Sequence, residues 1–146
     1  MKKLLAVFLL CISGVSHSAN NIKSDSYILG LVGQKAVEVE DVSASYNSAT
    51  KIYYYSKTSS TGLELQLNKE TIEVAWLFLR REKLEENKKA EQMAISFTEK
   101  LLGKQSMDLL IKPMKSGQSI QSIKISGVTI TGARCGSTQC VYSIVR

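Results

Sequence analysis

The chain of 146 residues has a formal net charge of +6, and 44% of its residues are hydrophobic. This hydrophobic content is ordinary for a globular protein and excludes an intrinsically disordered one. The basic excess is mild and mixed with acidic residues, whereas a nucleic-acid-binding protein usually presents a basic stripe with interleaved aromatic residues. We therefore expect no nucleic-acid partner.

Residues 1–18 have the three-part layout of a secretory signal peptide. Two lysines precede an uninterrupted apolar run over residues 4–12, and small residues follow it. The apolar run is too short for a stable membrane span, and no later run is longer. We expect cleavage after Ser18 or Ala19, a single domain over 19–146, and export to the bacterial periplasm, with release to the medium as the alternative.

Removal of this segment would change the set of reactive side chains. The single histidine, His17, and one of the three cysteines, Cys11, would leave with it, and 17 basic and 13 acidic residues would remain, a net charge of +4. Ser-His-Asp and Cys-His catalysis both need an imidazole. Two cysteines supply at most half of a zinc ligand set. We therefore expect a non-enzymatic protein without a metal or a cofactor.

Three strands are predicted before residue 68. In "KAVEVEDV", Val37 and Val39 alternate with Glu38 and Glu40, which is the period of a half-buried strand. The stretch "TKIYYYSKT" is rich in aromatic and β-branched residues, and "LELQL" alternates again after the turn "SSTG". Short connections of this kind are typical of an antiparallel arrangement.

Three consecutive tyrosines form the first candidate partner-binding cluster. Strand alternation places Tyr54 on one face and Tyr53 with Tyr55 on the other. One of these faces is expected to belong to the core. At most part of the cluster is therefore available to bind a protein or a glycan.

The stretch from Leu63 to Leu102 contains neither glycine nor proline, which favours one continuous element. Residues 72–79, "IEVAWLFL", would by themselves fit a buried strand equally well. A strand there would need a turn near residues 80–82, where no turn-forming residue stands. We therefore predict one α-helix over about residues 69–102, with a strand over 72–79 as the alternative.

The apolar residues of this region recur at helical spacing and would share one face. They are Ile72, Ala75, Trp76, Leu79, Ala90, Met93, Ala94, Phe97 and Leu101. Asn68 or Thr71 can cap the start of such a helix, and Gly103 suits its end. A helix of about 45–50 Å is longer than one small domain can cover, so either it breaks near residues 80–82 or part of it projects.

Charged residues interrupt the apolar face in "RREKLEENKK", residues 80–89. A solvated helix surface is the simpler interpretation. The sharper one is a protruding charged segment that contacts a partner. In that case the candidate partner-binding residues are Arg80, Arg81, Lys88 and Lys89.

The C-terminal region is predicted to be a set of strands that ends in a disulfide-closed hairpin. "SIQSIKISGVTITGA" alternates as one strand with a bulge at Gly127, or as two short strands, and "CVYSIVR" is a further strand. Cys135 and Cys140 flank residues 136–139 without forming a Cys-x-x-Cys motif, and an even pair in an exported chain predicts a disulfide. The fold class is therefore α+β, a mainly antiparallel sheet packed against one long helix.

These features favour a small exported binding or accessory protein that acts through protein–protein contacts in the bacterial envelope. Such a protein would serve a secretion or appendage machine, or neutralise a toxin or an enzyme. One alternative is a carboxylate-dependent hydrolase, for which the candidates are Glu38, Glu40, Glu70 and Glu73. It would need two acids converging in a pocket and a perturbed pKa. The other alternative is a carrier of a small apolar ligand.

Overall fold

The computed structural model describes residues 21–56, 61–78 and 82–146. The predicted signal peptide with its cleavage site, Arg80 and Arg81 therefore lie outside the described residues. Of the helices within these ranges, none is both long and apolar enough to cross a bilayer.

The described residues form one antiparallel sheet of seven strands, in the order β1-β2-β3-β4-β7-β6-β5. The strands are β1 Glu38–Asp41, β2 Thr50–Tyr54, β3 Thr61–Asn68, β4 Thr71–Phe78, β5 Ile120–Ile125, β6 Val128–Cys135 and β7 Gln139–Val145. Strands β1 and β5 are the two edges, and β4 is the central strand. The predicted mainly antiparallel sheet is confirmed.

The helices are α1 Asp25–Val32, α2 Ser43–Tyr46, α3 Leu84–Leu102 and α4 Lys112–Lys115, and a π-helical turn, Met107–Ile111, leads into α4. Helix α3 has 19 residues and packs on β3 and β4, while α1 packs against α3. The α+β class with one long helix on the sheet is confirmed.

The predicted helix over residues 69–102 is wrong in its first half. Residues Thr71–Phe78 form the central strand β4, and α3 begins only at Leu84. The strand alternative is correct, because β4 pairs with β3 on one side and with β7 on the other. The pairing with β7 cannot be recognised from any local sequence pattern. At about 1.5 Å per residue, α3 is about 28 Å long and no longer exceeds the domain that it covers.

The turn that ends β3 is made by Asn68 rather than by glycine or proline. The Asn68 Oδ1 atom accepts hydrogen bonds from the backbone N–H groups of Glu70 and Thr71, each at 2.8 Å. Asparagine often closes a turn in this way. The predicted helix cap at this position is therefore a strand-to-strand turn. The predicted end of the helix is correct, since the Gly103 N–H donates to the carbonyl of Glu99 at 2.8 Å.

The hydrophobic core lies between the sheet and α3. The strand residues that point to the helix are Leu63, Leu65 and Leu67 of β3, Ile72, Val74 and Trp76 of β4, and Tyr142 and Ile144 of β7. Helix α3 contributes Ala90, Ala94, Phe97 and Leu101, which confirms the apolar face predicted for its part of the chain. Trp76 is 2% exposed and belongs to the core, although it stands on a strand.

A buried hydrogen bond joins α3 to the sheet. The Thr98 Oγ1 atom lies 2.6 Å from the carbonyl of Ala94 and 2.7 Å from the Tyr142 hydroxyl. A threonine hydroxyl has one proton, so if Thr98 donates to Ala94, Tyr142 donates to Thr98. Burial raises the pKa of Tyr142 above its ordinary value, which keeps this hydroxyl protonated as a donor.

The predicted disulfide between Cys135 and Cys140 is confirmed. The two cysteines face each other across β6 and β7, and the Gly136 N–H donates to the carbonyl of Gln139 at 2.8 Å. The loop between β6 and β7 therefore consists of residues 136–138, one residue fewer than the predicted loop over 136–139. The Phe78 N–H donates to the carbonyl of Thr138 at 2.8 Å, so the hairpin tip is also bonded to the end of β4.

Strands β5 and β6 are two strands joined by a tight turn. Ser126 and Gly127 both have positive φ, 51° and 78°. Two such residues in succession are typical of the two-residue turns that suit a β-hairpin. The bulge lies instead between Thr131 and Arg134, at Gly132 with φ 61°. Of the two predicted alternatives, the pair of short strands is correct.

Candidate functional site

The three tyrosines lie at one side of the sheet, on β2 and the residue after it, next to the edge strand β1. In the register of the strands, Tyr53 stands between Val39 and Leu65, and Tyr54 between Glu38 and Glu64. Tyr53 therefore points to the helix side of the sheet, and Tyr54 points to the opposite side, which we call the open face. The predicted alternation of the cluster is correct.

Tyr55 is a core residue. It is 5% exposed, and its N–H donates to the carbonyl of Leu63 at 3.0 Å. Burial first, and then the charge interaction with Tyr53, raise the pKa of Tyr55 to about 12. Tyr55 therefore serves to pack the hydrophobic core.

Tyr54 is half-buried on the open face, where its hydroxyl donates to the Glu40 carboxylate at 2.9 Å. Burial first, then this hydrogen bond and the charges of neighbouring glutamates, raise the pKa of Tyr54 to about 12. The phenol is therefore a neutral donor at physiological pH. The bond fixes the ring against β1, with its exposed part available to a partner.

Four glutamates share the open face, two of them on β1. They are Glu38, Glu40, Glu64 and Glu73. Burial first, and then the charge of Glu73, raise the pKa of Glu64 to about 7. Glu64 was not predicted as a site residue, because its raised pKa depends on the pairing of β3 with β4. Its position between Leu63 and Leu65 was the available signal for the open face.

The arrangement of these acids does not form a pocket. Glu38, Glu40 and Glu73 are exposed on the sheet surface, and Glu70 is exposed in the turn between β3 and β4. None of these residues, nor Glu64, lines the clefts described below. Within residues 21–56, 61–78 and 82–146, no three His, Cys, Asp or Glu side chains are grouped to hold a metal ion.

On the helix side, the region beside β1 is an apolar trough. Val37 and Val39 are 52% and 51% exposed. One cleft of about 630 Å³ is lined by Val39 and Tyr53, together with Leu29 and Ala36. A second cleft of about 310 Å³ is lined by Val37 and shares Gln34 and Tyr55 with the first. We call these two adjoining clefts the β1 trough.

The trough is exposed because the helical layer does not extend over β1. Helix α3 packs on β3 and β4, and β2 is the only described element that β1 contacts extensively. The sequence predicted a half-buried strand over these residues. It did not predict that this strand lies at the edge, which leaves even its apolar side exposed.

The two predicted lysines of α3 lie in different surroundings. Lys88 forms a salt bridge with Glu85 at 3.0 Å and lines a separate cleft of about 360 Å³, together with Leu84 and the disulfide. Lys89 lies in the wall of the β1 trough, near Tyr55. The structure therefore brings Lys89 together with the tyrosine cluster and leaves Lys88 apart from it.

No protein-family model, curated protein or solved structure shows significant similarity to the chain.

Proposed function

We propose that the chain is an exported, non-enzymatic binding protein of the bacterial envelope, and that it contacts another protein through the β1 side of its sheet. The contact surface, which we call the β1 edge, consists of Val37–Glu40 with Tyr53 and Tyr54. The observation that supports it is the exposure of about half of Val37 and of Val39, next to a tyrosine on each face of the sheet.

Exposed apolar groups of this kind are characteristic of a contact surface. Single exposed hydrophobic residues are common, but here two valines and the trough beside them form one patch. Aromatic residues are enriched in protein interfaces, whereas a polar rim surrounds them. Glu38 and Glu40 supply such a rim on the open face, and Lys89 supplies it on the helix side.

The proposed compartment is the periplasm, with the medium as the alternative. A disulfide forms and persists in oxidising compartments, and the bond between Cys135 and Cys140 fits export. A component of a secretion or appendage machine, or a neutralising partner of a toxin or enzyme, fits both the compartment and the surface.

The geometry favours binding over the two alternatives. A hydrolase acting through carboxylates needs two acids in a pocket, and Glu64 with its raised pKa lies instead on a sheet surface. A carrier of an apolar ligand needs a cavity between the sheet and the helix. That space is filled by one contiguous cluster of buried side chains.

The test is affinity capture of the mature protein from cross-linked envelopes of its own cells, with the partners identified by mass spectrometry. Val39→Ser and Tyr54→Ala should each lose the specific partner. The matched control is Leu109→Ser, which removes a leucine that is 45% exposed in the π-helical turn, away from β1. This control should keep the partner.

A further set of variants separates the β1 edge from the start of α3. Charge reversal at Lys88, Arg80 and Arg81 tests the predicted helical surface, and charge reversal at Lys89 is made separately because Lys89 lines the β1 trough. If the captured proteins are the same for wild type and for every variant, the proposed function is refuted for both surfaces.

A further inference from the structure

On the outer side of β1, some backbone hydrogen-bonding groups have no partner among residues 21–56, 61–78 and 82–146. The Tyr55 N–H bonds to Leu63 on β3, so alternate residues of β2, including Thr50, Ile52 and Tyr54, bond to β1 instead. The Val42 N–H indeed donates to the carbonyl of Thr50 at 3.0 Å. Since only every second residue of β1 bonds to β2, the backbone groups of Val39 and Asp41 face away from the sheet.

Both side-chain faces of this free edge are also accessible. All four residues of β1 are exposed, and in the described part of the chain no element covers the outer side. Val39 points to the β1 trough on the helix side. Glu38 and Glu40 point to the open face, near Tyr54.

The two faces favour different side chains in a strand that would add to the edge. Side chains of an added strand alternate between the two faces of the sheet. Those on the helix side would lie against Val39 and Leu29, where apolar groups would gain burial. Those on the open side would lie against Glu38 and Glu40, where lysine or arginine would be favoured.

We propose that β1 binds an extended segment of a partner protein as an eighth strand, and that this segment alternates apolar residues with lysine or arginine. The inference rests on the proposed function and names the chemistry of its partner. Backbone bonds to the edge provide affinity, and the alternating side chains provide specificity.

A second copy of the chain, paired through its own β1, is disfavoured by charge. Such a pair would place Glu38 and Glu40 of one copy against the same residues of the other on one face. Like charges directly opposite each other destabilise strand pairs. Acidic side chains on an edge strand thus discourage self-pairing and still permit a basic partner.

Strand β5 of this chain contains a short stretch in which a lysine alternates with apolar residues. Lys124 stands between Ile123 and Ile125 at the opposite edge of the sheet. Pairing of β5 of one copy with β1 of the next would produce an open, head-to-tail chain of molecules. Self-association is therefore the competing outcome of the experiment.

The probe is a short capped peptide in which lysine alternates with valine, labelled with a fluorophore. Binding to the mature protein is followed by fluorescence anisotropy, and amide NMR shifts locate the site. The alternating peptide should bind, and the shifts should centre on residues 37–41. A peptide with the same residues in two blocks should bind at least about tenfold more weakly, because it cannot place its lysines on one face.

The contribution of charge to peptide binding is tested by the double variant Glu38→Lys with Glu40→Lys. This double variant should bind the lysine peptide about tenfold more weakly, and it should bind a peptide in which glutamate alternates with valine more tightly than wild type does. The matched control is Glu70→Lys with Glu82→Lys, two exposed glutamates outside the β1 edge, which changes the net charge equally. Equal weakening by both double variants would overturn the proposal.

The contribution of backbone hydrogen bonds to peptide binding is tested by Val39→Pro. This change removes an N–H that faces away from β2, and proline is tolerated at such positions of an edge strand. Binding should be lost, whereas Val39→Ile, which keeps both the N–H and the apolar side chain, should retain most of it. Unchanged binding by Val39→Pro would overturn strand addition, and if this variant does not fold, the charge-reversal pair decides alone.

Two further outcomes separate this inference from the proposed function. A natural partner that is still captured by Val39→Pro and by Glu38→Lys with Glu40→Lys would leave the proposed function intact and overturn the eighth strand. Concentration-dependent self-association in sedimentation velocity that Lys124→Glu abolishes would identify β5 of another copy as the occupant, and would overturn the proposal of a separate partner.

Discussion

Glu64 is predicted to make the stability of the fold depend on pH. Its carboxyl has a pKa of about 7 in the folded protein, raised from an ordinary value of 4.5 by burial and by the charge of Glu73. Below pH 4.5 the group is protonated in both the folded and the unfolded chain. Between pH 4.5 and 7 the unfolded chain releases the proton first, so the free energy of unfolding falls as the pH rises, and above pH 7 the loss is complete.

The size of this effect follows from the shift and from the exposure of the group. A shift from 4.5 to about 7 corresponds to at most about 3 kcal/mol for a fully buried carboxyl. Glu64 is partly exposed on the open face, where solvent screens the charge, so we expect about 1 kcal/mol. Glu64→Gln, which mimics the protonated side chain, should therefore stabilise the fold by about 1 kcal/mol at pH 8 and leave it unchanged at pH 4.

The assay is urea unfolding at both pH values, followed by the fluorescence of Trp76, which is the single tryptophan and is 2% exposed in the core. The control is Glu70→Gln in the exposed turn, which should change neither value. Glu73→Gln should give part of the Glu64→Gln effect, since it removes the second cause of the shift. An equal change in the free energy of unfolding at pH 4 and pH 8 for Glu64→Gln would refute the reasoning.

Three other predictions concern stability. Thr98→Val should cost about 1–3 kcal/mol because it leaves the buried Tyr142 hydroxyl without its acceptor, and adding Tyr142→Phe should recover part of that loss in a double-mutant cycle. Cys135→Ser with Cys140→Ser should lower the free energy of unfolding by about 2 kcal/mol, the loop-entropy value for so short a loop. Mass measurement with and without reductant should show no free thiol at Cys135 or Cys140 before reduction. Asn68→Ala should cost about 1 kcal/mol in urea unfolding, because two backbone N–H groups lose their acceptor in the turn after β3.

The parts of the fold that depend on near neighbours were predictable. Alternation separated Tyr54 from Tyr53 and Tyr55, and the spacing of Cys135 and Cys140 indicated the closed hairpin. In each case the strand partner or the disulfide partner is close in sequence. The local pattern therefore contained the information needed.

The central strand was not predictable in the same way. "IEVAWLF" fits a helix face and a buried strand equally well, and β4 is a strand because it pairs with β7, more than sixty residues later. The prediction of a helix also relied on the absence of glycine and proline. Asn68 makes the turn between β3 and β4 without either of them, and the turn that the strand alternative needs near residues 80–82 lies partly outside the described residues.

The candidate site was predictable only in part, for a related reason. Alternation identified Val37, Val39, Glu38 and Glu40 as a two-sided strand, but their exposure follows from the position of β1 at the edge. The raised pKa of Glu64 likewise needs a neighbour from another strand. Strand order is a property of the whole sheet, and no single segment specifies it.

The position of β7 between β4 and β6 also has a consequence for how the chain folds. Strands β1 to β4 are consecutive in the sheet, and so are β5 to β7 in reverse, so each group can assemble from hairpins between neighbours. Only the pairing of β4 with β7 joins the two groups, and it closes a loop that contains α3. Because loop closure opposes such non-local contacts, this docking step should set the folding rate. A substitution at the β4–β7 seam should therefore slow folding more than one of equal cost within either group.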